Sequence, residues 1–167
     1  AAHYIPSGRN VWDGRDERFD LTGIRCYRHL EQAKRLERSL GTLGGGNHFI
    51  EIDASSDGNK YLVIHSGSRN LGKQVAEYYQ NLAIDLAAGK GELFEKKAEL
   101  IKTYKEQGRR TEIQSALKAM EKEWQSKVPD TPADLCCLYD NYLDDYLYDV
   151  EICQRFAKRN RERMAEI

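Results

Sequence analysis

Histidine is scarce in this chain, four in 167 residues, and two of the four bracket one stretch of sequence. His48 opens the apolar run His48-Phe49-Ile50-Glu51-Ile52, and His65 closes the run Tyr61-Leu62-Val63-Ile64-His65. Between them Asp53-Ala54-Ser55-Ser56-Asp57-Gly58-Asn59-Lys60 is turn chemistry, so the pattern predicts a β-hairpin with strands at about 47–53 and 60–66. Pairing symmetric about the turn sets Ile52 opposite Tyr61 and His48 opposite His65, with Cβ atoms about 4.5–5.5 Å apart. Two imidazoles so placed could share a divalent cation, at metal–nitrogen distances of about 2.0–2.1 Å, or hold two adjacent ones. A register shifted by one residue sends them to opposite faces. The simpler alternative is a pair of hydrogen-bonded histidines at strand ends.

Alternation along the first strand puts His48, Ile50 and Ile52 on one face and Asn47, Phe49 and Glu51 on the other. The second set combines an amide, an aromatic plane and a carboxylate. That suits guanine, which stacks on a ring and offers adjacent N–H donors to a carboxylate; a core Phe beside a solvated Glu reads the same trio without a ligand. After the second strand, Ser66-Gly67-Ser68-Arg69 precedes a helical pattern. Small residues let backbone N–H groups approach an anion, the helix adds its positive end, and Arg69 can grip phosphate bidentately. The stretch also approaches a Walker A loop through Gly67, Gly72 and Lys73, but Gln74 stands where the magnesium-binding Ser or Thr belongs, and that reading is rejected.

These residues need elements to position them. Residues 1–23 read as an irregular opening segment. Leu30, Ala33, Leu36 and Leu40 predict a helix from Tyr27 to Leu40, and Gly41-Thr42-Leu43-Gly44-Gly45-Gly46 is too glycine-rich for anything but a loop. Leu71, Val75, Tyr78, Tyr79, Leu82 and Leu86 predict a helix ending near Gly89. One or two charged helices follow over 91–127, broken at Gly108 and punctuated by Pro129 and Pro132. Asp134 is placed to cap a long final helix whose Leu135, Leu138, Tyr142, Leu143, Tyr146, Leu147, Val150, Cys153 and Phe156 form an apolar face. The expected architecture is α+β, a single domain over 1–167 with a small antiparallel sheet packed by helices.

Composition narrows the classes. Twenty-six Lys and Arg against 27 Asp and Glu give a net charge of −1, so no global polycation implies nucleic-acid binding. No apolar run approaches the ~18 residues of a membrane span, and no signal peptide is visible. Cys26, Cys136, Cys137 and Cys153 lack CxxC spacing, which points to reduced thiols in a cytoplasmic protein. The six acidic residues of 134–151 and the five basic ones of 155–163 read as solvated faces, with the basic cluster an equal candidate for RNA backbone.

Gly41-Thr42-Leu43-Gly44-Gly45-Gly46-Asn47-His48-Phe49-Ile50-Glu51-Ile52, followed by His65-Ser66-Gly67-Ser68-Arg69-Asn70-Leu71-Gly72, resembles the RtcB family of RNA-splicing ligases. Ile5-Pro6-Ser7-Gly8-Arg9, and Tyr142 to Leu147 with Asn160 to Met164, are more weakly similar to flanking family segments. The resemblance implies a GTP- and manganese-dependent ligase acting in tRNA splicing and RNA repair. It would join RNA 3′-phosphate or 2′,3′-cyclic phosphate ends, such as those of tRNA halves, to 5′-hydroxyl ends. A histidine is guanylylated, GMP passes to the RNA 3′-phosphate, and the 5′-hydroxyl displaces it. Carried onto this sequence, His48 and His65 become Mn2+ ligands and Asn47 contacts the nucleotide phosphate. Phe49 and Glu51 line the guanine pocket, His48 lies against the nucleotide, and Ser66, Gly67, Ser68 and Arg69 hold a phosphate of RNA or nucleotide. Asn47, His48, His65 and Arg69 form the catalytic set.

The family's Asp/Cys metal-ligand segment has no counterpart here, and no His follows His65 to serve as nucleophile. The resemblance therefore describes a central piece, expected to be inactive alone and open to self-association through its apolar helix face. A non-catalytic nucleotide- or RNA-binding module and a metal-dependent phosphoester hydrolase remain the alternatives.

Overall fold

The computed structural model describes residues 13–124 and 131–166. The expectations for Ile5 to Arg9 and Pro129 lie outside them. The chain divides into two compact units, Ala1–Tyr78 with Asp140–Ile167, and Tyr79–Tyr139.

In the first unit, strands β1 (Phe49–Ala54) and β2 (Lys60–His65) form an antiparallel hairpin, the only sheet among the described residues. The α+β reading holds, with the hairpin where turn chemistry and alternation put it. Its register differs by one residue. Phe49 faces His65 and Ile52 faces Leu62, because the loop holds five residues rather than an even number. Gly58 sits at φ 86° at the tip, a conformation glycine adopts without Cβ strain. His65 thereby joins the face of Phe49 and Glu51, and His48 falls just outside the ladder.

The expected helix over Tyr27–Leu40 shrinks to a 3-10 turn at Tyr27–His29 and one short helix, α1 (Ala33–Glu37). Tertiary hydrogen bonds outcompete the helical ladder there. The buried Asp149 carboxylate accepts Arg25 N–H at 2.7 Å and Cys26 N–H at 3.1 Å. Gln74 brackets Glu31, accepting its N–H and donating to its carbonyl, and Gln32 turns left-handed at φ 53°. Leu36 and Leu40 still point inward, joining Leu21, Ile24, Leu71, Val75, Phe156 and Met164 in the core. Phe156 is fully buried with its ring edge-on to Phe19 at 5.6 Å, worth about 1.5–3 kcal/mol from burial alone.

Helix α2 (Asn70–Ala87) follows the predicted stripe, and the unit boundary falls within it. In the second unit α3 (Lys90–Glu106) and α4 (Ile113–Glu123) are separated at Gly108, as the sequence predicts, with a 3-10 turn at Arg110–Glu112. Lys97 and Glu121 pair between them at 2.5 Å.

The last helix, α5 (Asp140–Ala165), starts six residues later than Asp134. Pro132 leads instead into a 3-10 turn at Ala133–Leu135, and Leu135 is exposed. The face of α5 that is buried also differs from the apolar stripe. Leu143 and Leu147 are exposed, whereas Asp149, Cys153, Phe156, Arg159, Asn160 and Met164 are buried. Arg159 is no solvated cation: it bonds Asp16 at 2.7 Å and Glu166 at 2.6 Å, and Arg18 foremost, with Arg159, holds the Asp16 carboxyl well below the ordinary range.

Candidate functional site

At the open end of the hairpin the glycine-rich loop and the β2 exit come together. His48 and His65 have ring centroids 6.0 Å apart, tilted by 35°. The proximity survives the altered register because His48, freed from the ladder, folds back toward its neighbour. Its Nδ1 lies 2.8 Å from the Gly45 carbonyl. A carbonyl only accepts, so Nδ1 carries the proton and Nε2 presents its lone pair, the arrangement usual for metal-bound histidine. Phe49 stacks on His65 at 5.2 Å and 11° and is 41% exposed. Glu51 lies two residues along the same face, solvent-exposed. Asn47 is exposed and its side chain has no hydrogen-bond partner among the described residues.

The two histidines fit part of a divalent-cation site. An ion about 2.1 Å from an imidazole nitrogen lies about 3.2 Å from that ring's centre, so rings sharing one ion have centres at most about 6.4 Å apart. The observed 6.0 Å falls within that limit. Among the described residues, however, no group of three or more His, Cys, Asp or Glu converges. The buried thiols do not help. Burial, with Asp149 nearby, pushes Cys26 up to about 12 and Cys153 up to about 11, so both stay protonated at neutral pH.

The predicted anion loop is largely turned inward. Ser68 Oγ accepts the Gly72 N–H at 3.2 Å, capping α2. Ser66 is buried and donates to the Leu43 carbonyl at 2.8 Å. Arg69, at φ 58°, donates Nε to Thr42 Oγ1 and Nη1 to Leu43 O, and burial lowers its pKa. Its Nη2 makes no hydrogen bond among the described residues and remains for an anion. Gly44 explains how Arg69 reaches the histidines. A Cβ there would meet Arg69 Nη1 at 1.7 Å and His48 Nδ1 at 3.0 Å, so these nitrogens are at most about 4.7 Å apart. Beyond Arg69 a polar cleft of about 310 Å³ is lined by Arg35, Asn70 and Gln74.

Two residues of this region enter the sequence reading only through a weak family likeness and the basic cluster, with no role of their own. Asn160 and Arg161 lie in the basic tail of α5, yet Asn160 is fully buried against both loops and Arg161 donates to the Ser66 carbonyl at 3.0 Å.

A family model described as tRNA-splicing ligase RtcB matches residues 21–167. The chain belongs to the RtcB family. The RNA-splicing ligase RtcB of Escherichia coli (strain K12) is 32% identical over 132 residues, covering 77% of this chain and 23% of the relative. The tRNA-splicing ligase RtcB of Aeropyrum pernix is 38% identical over 60 residues, covering 28% of this chain and 12% of the relative. That of Pyrobaculum aerophilum is 40% identical over 65 residues, covering 29% and 13%. The chain thus spans about a quarter of the length of the Escherichia coli RtcB relative. No solved structure matches it significantly. No helix among the described residues is long and apolar enough to cross a membrane.

Proposed function

We propose that this chain is the central piece of a cytoplasmic RNA ligase of the RtcB family, contributing part of a manganese site and the guanine-binding face. The whole protein would join RNA 3′-phosphate or 2′,3′-cyclic phosphate ends to 5′-hydroxyl ends at the expense of GTP, in tRNA splicing and RNA repair. The observation that carries this reading is the convergence of His48, His65 and Phe49 at one end of the hairpin.

In this reading His48 and His65 hold the cation, which would neutralise phosphate oxygens and favour ionisation of the attacking hydroxyl. The outer face of Phe49 stacks guanine, and Glu51 accepts its paired N–H donors. Asn47 donates to the nucleotide phosphate. Arg69 Nη2 offers positive charge to the phosphate undergoing transfer, where catalysis is mostly positioning and charge neutralisation. Ser66, Gly67 and Ser68 shape the loop through their own internal bonds, so their part in phosphate binding falls to the backbone.

Covalent guanylylation requires a further histidine, and none follows His65. Incubated with labelled GTP and Mn2+, the chain is expected to bind both and acquire no covalent guanylate. Loss of Mn2+ binding in His48→Ala supports the reading; binding unchanged in that variant refutes it. The two-ligand arrangement favours a non-catalytic nucleotide- or RNA-binding module as second reading over a phosphoester hydrolase, which needs more ligands. The exposed Leu143 and Leu147 of α5 support self-association, measurable by light scattering.

A further inference from the structure

We propose that Asn160 is a positioning residue that sets the spacing of His48 and His65 by tying both of their loops to α5. The inference rests on the cation reading above for its consequence, but its geometry stands apart from it. Asn160 is fully buried, and its side chain bonds nothing on its own helix. Its Oδ1 accepts the N–H groups of Gly41 at 2.8 Å and Thr42 at 3.2 Å. Its Nδ2 donates to Thr42 O at 3.2 Å, Ser66 Oγ at 3.1 Å and Gly67 O at 3.1 Å. Burying an amide is costly unless it is bonded, and only a carboxamide presents two donors and a doubly accepting oxygen in one plane.

The partners are what matter. Gly41 and Thr42 begin the loop that ends at His48, and Ser66 and Gly67 directly follow His65. One side chain therefore fixes the root of each histidine-bearing segment. The link continues beyond it: Ser66 Oγ donates a hydrogen bond to Leu43 O, the carbonyl that also accepts from Arg69 Nη1. Such chains of hydrogen bonds hold more firmly than their separate members. Asp149, the other fully buried polar side chain nearby on α5, instead holds Arg25 and Cys26, which carry no candidate ligand. Groups that orient metal ligands from behind commonly change metal affinity by 10–100-fold when removed.

The test uses this chain in two readouts. In the metal-free protein, cross-relaxation between the His48 and His65 ring protons is expected in the wild type and lost in Asn160→Ser. In parallel, Mn2+ affinity followed by electron paramagnetic resonance is expected to fall about tenfold or more. Phe156→Leu perturbs the same helix where it packs on Phe19 and should leave both readouts unchanged. Should Asn160→Ser fail to fold, Ser66→Ala removes one of the two bonds on the His65 side together with the link to Leu43, and is expected to weaken both signals. Wild-type cross-relaxation in Asn160→Ser, or in Ser66→Ala where that is the variant that folds, overturns the proposal. Absence of Mn2+ binding by the wild type refutes the cation reading and leaves the ring-proton measurement to decide this one.

Discussion

The two ends of the hairpin are built from the same pair of strands and held in opposite ways. At the turn, every partner is local. Ser55 N–H bonds Asn59 O at 2.9 Å, Gly58 N–H bonds Ser55 O at 3.0 Å, and the Asp57 carboxylate accepts Asn59 N–H and the Ser55 hydroxyl. At the open end, bonds arrive from α5 and the glycine-rich loop, through Asn160, Arg161 and Arg69. An isolated two-stranded hairpin is marginal in water, and β1 is exposed along its length. Order is therefore imposed from the end where the candidate ligands sit. The contrast teaches that this hairpin acts as an arm anchored at its root.

The same substitution at each end should expose the difference. Gly44→Ala puts a Cβ at φ +94° against Arg69, whose guanidinium must give up its bonds to Thr42 and Leu43. A loss of about 2–3 kcal/mol in thermal unfolding is expected; an unchanged midpoint would mean that the anchor yields freely. Arg161→Ala strips a charged donor from the Ser66 carbonyl and should cost about 1–2 kcal/mol in denaturant titration. Gly58→Ala, with open space around the Cβ and only a positive φ against it, should cost about 1 kcal/mol; a loss matching Gly44→Ala would erase the contrast.

Asp57 provides a pH test of the turn. The Ser55 hydroxyl and the Asn59 N–H hold its carboxyl below the ordinary 3.8. A lowered folded value means that its contribution is complete above the ordinary range and is lost as pH falls through the lowered one. Its carboxyl 13C titration should have its midpoint under 3.8, and Asp57→Asn should leave turn amide shifts flat through that range. Smallest of all, Ile52→Thr at a position 72% exposed should move stability by no more than about 0.5 kcal/mol.

Much of the frame is legible in the chain itself. Alternation with turn residues located the hairpin, and helical spacing located α2 and the pair broken at Gly108. Register was not legible, because turn residues announce a turn without fixing whether its loop is odd or even. Nor was the fate of Tyr27–Leu40, where Gln74, 43 residues away in sequence, takes both backbone groups of Glu31. Asn160 escaped for the same reason. Polar residues on a charged helix read as solvated, and only the packing of α5 against β2 reveals which of them face inward. His48 and His65 are close, but not through the strand pairing that the turn residues suggest: Phe49 takes that place opposite His65.

The sulfur atoms give the molecule an internal clock. Cys26 and Cys153 are shut inside with their protons held on, whereas Cys137 faces solvent. An alkylating reagent reaches Cys137 at once and reaches Cys26 only when the segment around it parts from α5. The slow phase of modification therefore counts how often that seam opens, with no label to introduce.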